Sequence, residues 1–264
     1  MRLPVRIGLV DTEEKVVELL EWDAASYDAL PLPHSRWGAG VIDRLALTGD
    51  ETVVDLGCGT GRDTERLLDR LPHGRVVAVD GSAQMLDQLG ARIAARADRV
   101  TAVRADLTRP FPAVVHGDAV MSVATFHWIP DHATLFQRIA ATLPTGGRLE
   151  AEFGGAGNIA GFLDAFRRAG GPPDDDPWDF ATPEQTASAL SAAGFRDVDV
   201  RVVPDPAVLE PGEQLEAFIA TVLLPATLRT LQPDDGRTLV RRTAAELPEP
   251  VIDYVRVQVS ATRA

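Results

Sequence analysis

Short apolar runs alternate with amphipathic segments between residues 50 and 155, and this alternation is the dominant pattern of the chain. Five of the runs predict buried strands, because each is short, apolar and bounded by turn residues. The segments between them carry helical spacing, and Ser82 and Asp131 stand where helix N-caps are expected. The predicted strands cover 53–56, 75–80, 100–105, 119–124 and 148–153, while helices cover 64–70 and follow Ser82 and Asp131.

The two ends of the chain predict helices and two further strands. The first fifty residues carry helical patterns at 13–22, 24–30 and 40–47. Beyond residue 155, three prolines and the acidic run Asp174–Asp175–Asp176 predict a loop over 170–180. The later helices are predicted at 159–169, 183–193, 212–231 and 234–247, and the strands at 195–203 and 251–260.

This order of elements predicts the fold class. Strands that alternate with helices form right-handed βαβ units and a parallel sheet. We therefore expect an α/β fold, a Rossmann-like, doubly wound, seven-stranded and mostly parallel sheet with helical N-terminal and C-terminal additions. A single domain over 1–264 is expected, with a helical lid at 1–49, a cofactor-binding core at 50–155 and a C-terminal half at 156–264 that adds a helical cap.

Composition narrows the possible partners. The chain is 45% hydrophobic and 25% charged, which is ordinary for a soluble globular protein. A net charge of −13 has the wrong sign for a phosphate backbone, so no nucleic-acid partner is expected. No apolar run has the length of a membrane span or signal peptide. The single Cys58 excludes an internal disulfide, so a cytoplasmic location is expected. The oligomeric state is not predicted.

A glycine loop after the first strand carries the strongest chemical signal. The run 53–61 is an apolar strand that contains Asp55 and leads into Gly57, Gly59 and Gly61, with a helix behind. Glycine lets a ligand approach the backbone, and the helix start offers unpaired N–H groups. A dinucleotide fingerprint needs a third glycine at position 62, which is Arg62, so a nicotinamide-dependent oxidoreductase is the weaker alternative.

The four residues Asp55, Gly57, Gly59 and Gly61 resemble the first motif of the class I S-adenosylmethionine-dependent methyltransferases, acidic-x-Gly-x-Gly-x-Gly. The resemblance implies that the cofactor is S-adenosyl-L-methionine and that the product is S-adenosyl-L-homocysteine. A carboxylate beside the loop also suits a ligand that carries an ammonium group.

Acidic residues end the next two strands as well. Asp80 follows the second strand, where a carboxylate can accept hydrogen bonds from both ribose hydroxyls. Asp106 ends the third strand, and the resemblance implies that it binds the adenine amino group while Leu107 donates its backbone N–H to the ring. The expected cofactor site is completed by Gly81, Met85 and Ala124.

The segment after the fourth strand bears on the methyl acceptor. Residues 124–130 lack the Asn/Asp-Pro-Pro-aromatic motif of nucleic-acid amino-methyltransferases and the Pro-Cys of C5-cytosine enzymes. Residues 126–149 instead resemble the trans-aconitate and juvenile-hormone-acid methyltransferases. The resemblance implies a small-molecule acceptor and O-methylation of a carboxylate or hydroxyl. Methylation of carbon or nitrogen, or a non-catalytic protein that binds the cofactor, remains the alternative.

Similarity to the trans-aconitate group continues at both ends of the chain. Trp22 and Tyr27 match an N-terminal Trp-x-x-x-x-Tyr element, and Arg36 follows Ser35 as in a Thr/Ser-Arg pair. The C-terminal run 215–231 matches more loosely, because 217–218 and Ala220 depart from the group's pattern.

Four residues have expected roles beside the acceptor. His127 is a candidate general base or hydrogen-bond donor, Trp128 a pocket wall, and Tyr27 part of a lid. Arg36 is expected to hold a carboxylate of the cofactor or of the substrate. The histidines do not pair with Cys or acidic residues at ligand spacings, so no metal is expected.

Overall fold

The computed structural model describes residues 21–30, 33–172 and 177–264, and a seven-stranded sheet is its framework. Its strands are β1 Thr52–Leu56, β2 Arg75–Asp80, β3 Val100–Arg104, β4 Ala119–Val123, β5 Arg148–Gly154, β6 Phe195–Pro204 and β9 Val255–Arg263. The short strands β7 Ala207–Val208 and β8 Val251–Ile252 form a separate pair. The order is β3-β2-β1-β4-β5-β9-β6, in which β9 runs antiparallel to both neighbours. The predicted α/β fold is confirmed.

Helices cover both faces of this sheet. They are α1 Ala24–Ala29, α2 His34–Arg44, α3 Arg62–Arg70, α4 Ala83–Arg92, α5 His132–Thr142, α6 Ala160–Arg168, α7 Pro183–Ala192, α8 Glu213–Phe218, α9 Pro225–Arg229 and α10 Pro233–Glu246. The predicted caps at Ser82 and Asp131 are confirmed, and Thr182 caps α7 in the same way, because each side chain accepts a hydrogen bond from the backbone N–H three residues later.

The two-residue period of the strands divides the core between the two faces of the sheet. Val53 packs with α2, α3 and α4, whereas the next residue, Val54, packs on the other face with α5 and α7. Both are completely buried, as expected of a parallel strand covered on two sides. A third apolar cluster joins Trp37 of α2 to α6, α8 and α10 beside the carboxyl end of the sheet.

Two predicted elements are interrupted in the structure. The helix expected over 212–231 is broken into α8, a π-helical turn over Ile219–Leu223 and α9, which begins at Pro225. Proline has no backbone N–H and clashes with the preceding turn, so it starts a helix more readily than it continues one. The strand expected over 251–260 is split at Asp253, whose carboxylate accepts from the backbone N–H groups of Gly161 and Phe162.

Other differences concern where the elements begin and end, two turns that were not predicted, and predictions that fall outside the described residues. The helix predicted over 40–47 is α2, which begins six residues earlier and ends at Arg44. Short 3₁₀ turns at Ala94–Arg99 and Phe126–Trp128 had no sequence signal. The helix predicted over 13–22 lies outside the described residues except for its last two, and so does the acidic run 174–176. Across the described ranges, every helix is too short or too polar to cross a bilayer.

The turn that ends α2 generates a stability prediction. Ala46 is exposed and has a φ of 49°, a left-handed conformation that a side chain disfavours by about 1 kcal/mol. We expect Ala46→Gly to raise the free energy of unfolding by about 1 kcal/mol in urea denaturation, because glycine adopts this conformation freely. Ala113→Gly, at an exposed turn residue outside the left-handed region, is the control and should not stabilise. Equal effects of the two substitutions would contradict the prediction.

Candidate active site

A cavity of about 320 Å³ opens at the carboxyl ends of β1, β2, β3 and β4. The strand order reverses between β1 and β4, and ligands of open α/β sheets bind at such a point. Its walls come from the glycine loop, the turns after β2, β3 and β4, the residues before α6, the segment 178–180 and the start of β9. The predicted residues that line it are Tyr27, Gly57, Gly59, Asp80, Gly81, Met85, Asp106, Leu107, Ala124, His127 and Trp128.

The glycine loop is fastened to β2 by backbone hydrogen bonds. The N–H groups of Gly57 and Cys58 donate to the Val79 carbonyl at 2.8 and 3.0 Å. Gly59 has a φ of 52°, and a Cβ built on it would meet nothing within 4 Å. The Gly59 backbone therefore faces open space, which is the property that a ligand cradle needs.

Asp80 links the glycine loop to the start of α4. One carboxylate oxygen accepts from the Gly59 N–H at 2.9 Å, and the other accepts from the Ser82 N–H at 2.9 Å. Burial raises the pKa of Asp80, while these backbone hydrogen bonds oppose the shift. Each oxygen keeps a further lone pair, so the fixed carboxylate can still accept from ligand hydroxyls.

Asp106 lies two residues beyond the end of β3 and forms a local turn. One of its oxygens accepts from the Thr108 backbone N–H at 2.8 Å and from the Thr108 hydroxyl at 2.6 Å. The neighbouring Leu107 is buried against the cavity, as is Met85 on the first turn of α4. These three predicted residues are therefore gathered on one wall.

Three predicted residues lie outside the main cavity. Asp55 borders a smaller adjoining cavity, where it accepts from the Thr64 hydroxyl at 2.6 Å and burial raises its pKa to about 7. Gly61 packs on α4, because an added Cβ would lie 2.2 Å from a methyl group of Leu89. Arg36 is 62% exposed and its guanidinium pairs with Asp205 at 2.5 Å.

The N-terminal segment lies over the cofactor side of the cavity. Glu21 accepts from the Ser82 hydroxyl at 2.8 Å and the Ala83 N–H at 3.0 Å, and it pairs with Arg104 at 3.0 Å. Trp22 makes an edge contact with Trp128, with ring centroids 5.6 Å apart. Through these contacts, residues 21 and 22 connect the start of α4 to the segment after β4.

Two of the four described non-glycine residues with a left-handed backbone lie beside the cavity. Ala124 and Ile159 both line it, and their φ angles are 55° and 49°. The Ala124 N–H is nevertheless bonded to the Glu152 carbonyl at 2.7 Å, and the Ile159 N–H to the Asp253 carbonyl at 3.1 Å. Left-handed backbone in alanine and isoleucine persists only where the surroundings enforce it, and such strain is typical of functional sites.

His127 has a defined hydrogen-bonding state. Its Nδ1 lies 3.3 Å from the Gly154 backbone nitrogen, which can only donate, so Nδ1 accepts and the proton of the neutral ring is on Nε2. Burial, with the positive charge of Arg256 as a second cause, holds the pKa of His127 well below its ordinary value. The neutral ring therefore presents an N–H donor.

Arg256 is a cavity residue that sequence reasoning missed. It is 1% exposed, and its guanidinium carbon lies 3.9 Å from the ring centroid of Trp37. One terminal nitrogen donates to the Glu152 carbonyl at 3.1 Å, whereas Nε has no hydrogen-bond partner within 21–30, 33–172 and 177–264 and is 4.0 Å from the Glu152 carboxylate. Burial lowers the pKa of Arg256 to about 10, so the group stays charged near neutrality.

Two more residues that line the same cavity have an unpaired buried polar atom. The Tyr254 hydroxyl and His34 Nδ1 have no hydrogen-bond partner among the described residues. Burial raises the pKa of Tyr254, and burial together with the charge of Arg256 lowers that of His34 to about 3, so both groups are neutral. Unpaired buried polar atoms are costly, and three of them at one cavity indicate a place for a polar ligand.

Metal ligands are not clustered in the structure. Within 21–30, 33–172 and 177–264, no three His, Cys, Asp or Glu side chains are arranged to hold a metal ion. A metal-free reaction stays a prediction.

Comparison with known proteins finds a family match in the central part of the chain. Residues 53–147 match the family described as methyltransferase domain. A trans-aconitate 2-methyltransferase from Azoarcus sp. (strain BH72) is 39% identical over 129 residues, which make up 48% of this chain and 49% of that protein. These matches support a class I S-adenosylmethionine-dependent methyltransferase. The chain spans about half the length of the curated relatives it matches.

Solved structures share the fold of this chain at low identity. A phosphoethanolamine N-methyltransferase 2 from Haemonchus contortus, solved with phosphomonomethylethanolamine and S-adenosylhomocysteine, has a TM-score of 0.59 at 18% identity over 86% of this chain and 52% of that one. The [4+2]-cyclase SpnF has a TM-score of 0.59 at 16% identity over 87% of this chain and 80% of that one. Proteins named for different reactions therefore share this sheet, and the likeness shows the fold alone.

Gly59 generates a prediction about the cofactor cradle. We expect Gly59→Ala to weaken binding of S-adenosylhomocysteine by about tenfold or more in calorimetric titration, because the methyl group occupies the ligand's space. Gly146→Ala is the matched control, since Gly146 also has a left-handed φ and open surroundings but lies in the turn before β5. Both substitutions should lower stability equally, by about 1 kcal/mol. Unchanged affinity in Gly59→Ala would contradict the assignment of the cradle.

Proposed function

We propose that this chain transfers the methyl group of S-adenosylmethionine to a carboxylate oxygen of a small acid. The family match supports the transfer, and the trans-aconitate 2-methyltransferases among its relatives support the carboxylate. The proposal rests on the chemistry of one part of the cavity, which is lined by His34, His127, Tyr254 and Arg256 and is called the acceptor half here. In this part, the described titratable side chains are hydrogen-bond donors or very weak bases.

The cofactor half of the cavity has the features that S-adenosylmethionine requires. The Gly59 backbone is open to a ligand, and the Asp80 carboxylate is fixed by two backbone N–H groups. In the proposed assignment, Asp80 accepts from the ribose hydroxyls, Asp106 and Leu107 bind the adenine, and Gly57 and Gly59 border the methionine part. When bound, S-adenosylmethionine supplies a sulfonium methyl group, which forms a bond to the attacking oxygen while the C–S electron pair stays on sulfur.

The acceptor half supplies positive charge and N–H or O–H groups. Arg256 is a charged donor, His127 presents its Nε2–H, and Tyr254 keeps its hydroxyl proton because burial raises its pKa. Three such groups suit an acceptor that arrives as an anion. A carboxylate is already ionised near neutral pH and needs no base, whereas a hydroxyl group has to lose its proton.

The residues of the chain then act mainly by alignment and by excluding water. Trp22, Trp128 and Trp178 line the cavity and cover its contents with apolar surface. A water-excluded site strengthens the pull of Arg256 on an anion and holds the nucleophile near the methyl group. His127 is proposed as a donor that orients one carboxylate oxygen, which leaves the other oxygen to attack.

The direct test is product analysis with a labelled methyl group. Protein is incubated with S-adenosylmethionine labelled in its methyl group and a panel of carboxylic acids that includes trans-aconitate. The proposal expects label in a product that alkali hydrolyses to methanol, as a methyl ester does. Label in an alkali-stable ether, amine or carbon product would replace the carboxylate with another acceptor. No transfer by protein that binds S-adenosylhomocysteine would favour a non-catalytic role.

The rate of transfer should depend little on pH. Burial holds the pKa of His127 well below its ordinary value, and a carboxylic acid has a pKa near 4, so the neutral donor and the ionised acceptor coexist from about pH 6.5 to 8.5. We therefore expect kcat at saturating concentrations of both substrates to stay flat across this range. A kcat that climbs steadily with pH would point instead to an acceptor that must be deprotonated.

Two substitutions at His127 separate the donor role from a base role. His127→Gln retains an N–H donor, whereas His127→Ala removes it. If His127 only donates, the Gln variant should keep most of the activity and the Ala variant should lose about tenfold, the loss expected for one hydrogen bond to a charged group. Equal loss in both variants, with S-adenosylhomocysteine binding intact, would count against the donor role.

A further inference from the structure

Aromatic side chains form a continuous wall beside the acceptor end of the cavity. The aromatic wall consists of Trp22, Trp128, Trp178 and Phe180, all of which line the cavity. Trp178 and Phe180 are stacked, with centroids 5.8 Å apart and an interplanar angle of 9°. Trp128 lies 5.6 Å from both Trp178 and Trp22. The wall thus presents broad apolar surface, in which the rings of Trp178 and Phe180 are parallel, Trp128 is inclined by 56° to Trp178, and Trp22 is inclined by 86° to Trp128.

A backbone hydrogen bond fixes this wall to the predicted acceptor segment. The Asp179 N–H, between Trp178 and Phe180, donates to the His127 carbonyl at 2.8 Å. The rings of His127 and Phe180 are 5.9 Å apart and inclined by 34°. The donor His127 and the apolar wall therefore border the same space.

The charge of the lining limits how many anionic groups an acceptor can bring. Among the described residues that line the cavity, Arg256 is the one cationic side chain, while Asp80 and Asp106 are acidic. His34 and His127 are neutral there, because burial and Arg256 lower their pKa values. Among the described lining residues, a second or third carboxylate would find neutral polar groups such as Thr125 and Asn158 but no second cation, and a buried charge without a counter-charge is unfavourable.

We propose that the acceptor is a flat, largely apolar acid with a single carboxylate, and that it differs in this respect from a tricarboxylate such as trans-aconitate. This inference rests on the proposed carboxylate methylation. The carboxylate is held by the unpaired Nε of Arg256 and the unpaired hydroxyl of Tyr254, and the planar body lies along the aromatic wall. In this arrangement, one carboxylate oxygen takes the methyl group, sulfur retains the C–S electron pair, and no proton moves.

Probe acids of matched shape test the inference. The probes are trans-cinnamate, its neutral amide and trans-aconitate, titrated by calorimetry into protein that is already saturated with S-adenosylhomocysteine. We expect cinnamate to bind about tenfold or more tightly than either of the other two, since only cinnamate has both the planar body and one charge. Methyl ester formation from cinnamate and trans-aconitate is measured in parallel. Cinnamate should then be the better substrate by a similar factor in kcat/KM.

Variants assign the two parts of the acceptor site. Tyr254→Phe removes only the hydroxyl and should weaken cinnamate about threefold or more without changing S-adenosylhomocysteine affinity. Arg256→Gln should weaken cinnamate more and leave the neutral amide unchanged. Trp178→Ala should weaken cinnamate and its amide alike, and Trp178→Phe should restore part of the loss. The Tyr254→Phe and Trp178 variants keep the test valid if loss of the buried Arg256 prevents folding.

The possible outcomes separate this inference from the proposed function. Esterification of trans-aconitate in preference to cinnamate would overturn the inference and leave carboxylate methylation standing. Binding of S-adenosylhomocysteine without esterification of any acid would overturn both. Equal binding of cinnamate and its amide would remove Arg256 from acceptor recognition and contradict the inference.

Discussion

Attachment of the glycine loop to β2 is the constraint on which the rest of the site depends. The N–H groups of Gly57 and Cys58 both donate to the Val79 carbonyl, and the Asp80 carboxylate accepts a hydrogen bond from the Gly59 N–H. These bonds hold the loop open toward the end of the sheet. Gly57 also meets the acceptor segment, because an added Cβ would lie 2.0 Å from the Thr125 hydroxyl. The glycine loop and the segment after β4 therefore meet at Gly57, a position that has no room for a side chain.

The acceptor half is built differently, from a buried cation that the fold leaves incompletely paired. Arg256 packs on Trp37 and donates to the Glu152 carbonyl, while the Glu152 carboxylate, 4.0 Å from Arg256 Nε, also lies 3.7 Å from Arg44 and accepts from Gln258 at 2.9 Å. Removing a guanidinium from water without full compensation costs several kcal/mol. In the proposed function, an anionic ligand that pairs with Nε recovers part of this cost.

Sequence reasoning predicted the fold and many of the residues that line the cavity, but it missed Arg256. The strands and caps were predictable because alternation and capping are local properties, as at Val53 and Ser82. Arg256 follows the apolar-polar alternation of β9, and a polar position in such a strand predicts a solvent-facing side chain. In the structure, Trp37 of α2 covers that position and turns it into buried surface. The left-handed φ of Ala124 could not be predicted either, because an alanine in a sequence does not indicate this backbone conformation.

Calorimetric titration of the purified chain with S-adenosylmethionine and S-adenosylhomocysteine, with Asp80→Ala as the comparison, tests most directly that this cavity is a methyl-donor site. We expect saturable binding of both compounds at about one molecule per chain. In the Asp80→Ala variant, binding should weaken by about tenfold or more, because the fixed carboxylate no longer accepts from the ribose. Absence of binding by folded wild-type protein, or unchanged affinity in a folded Asp80→Ala variant, would contradict the account of the site.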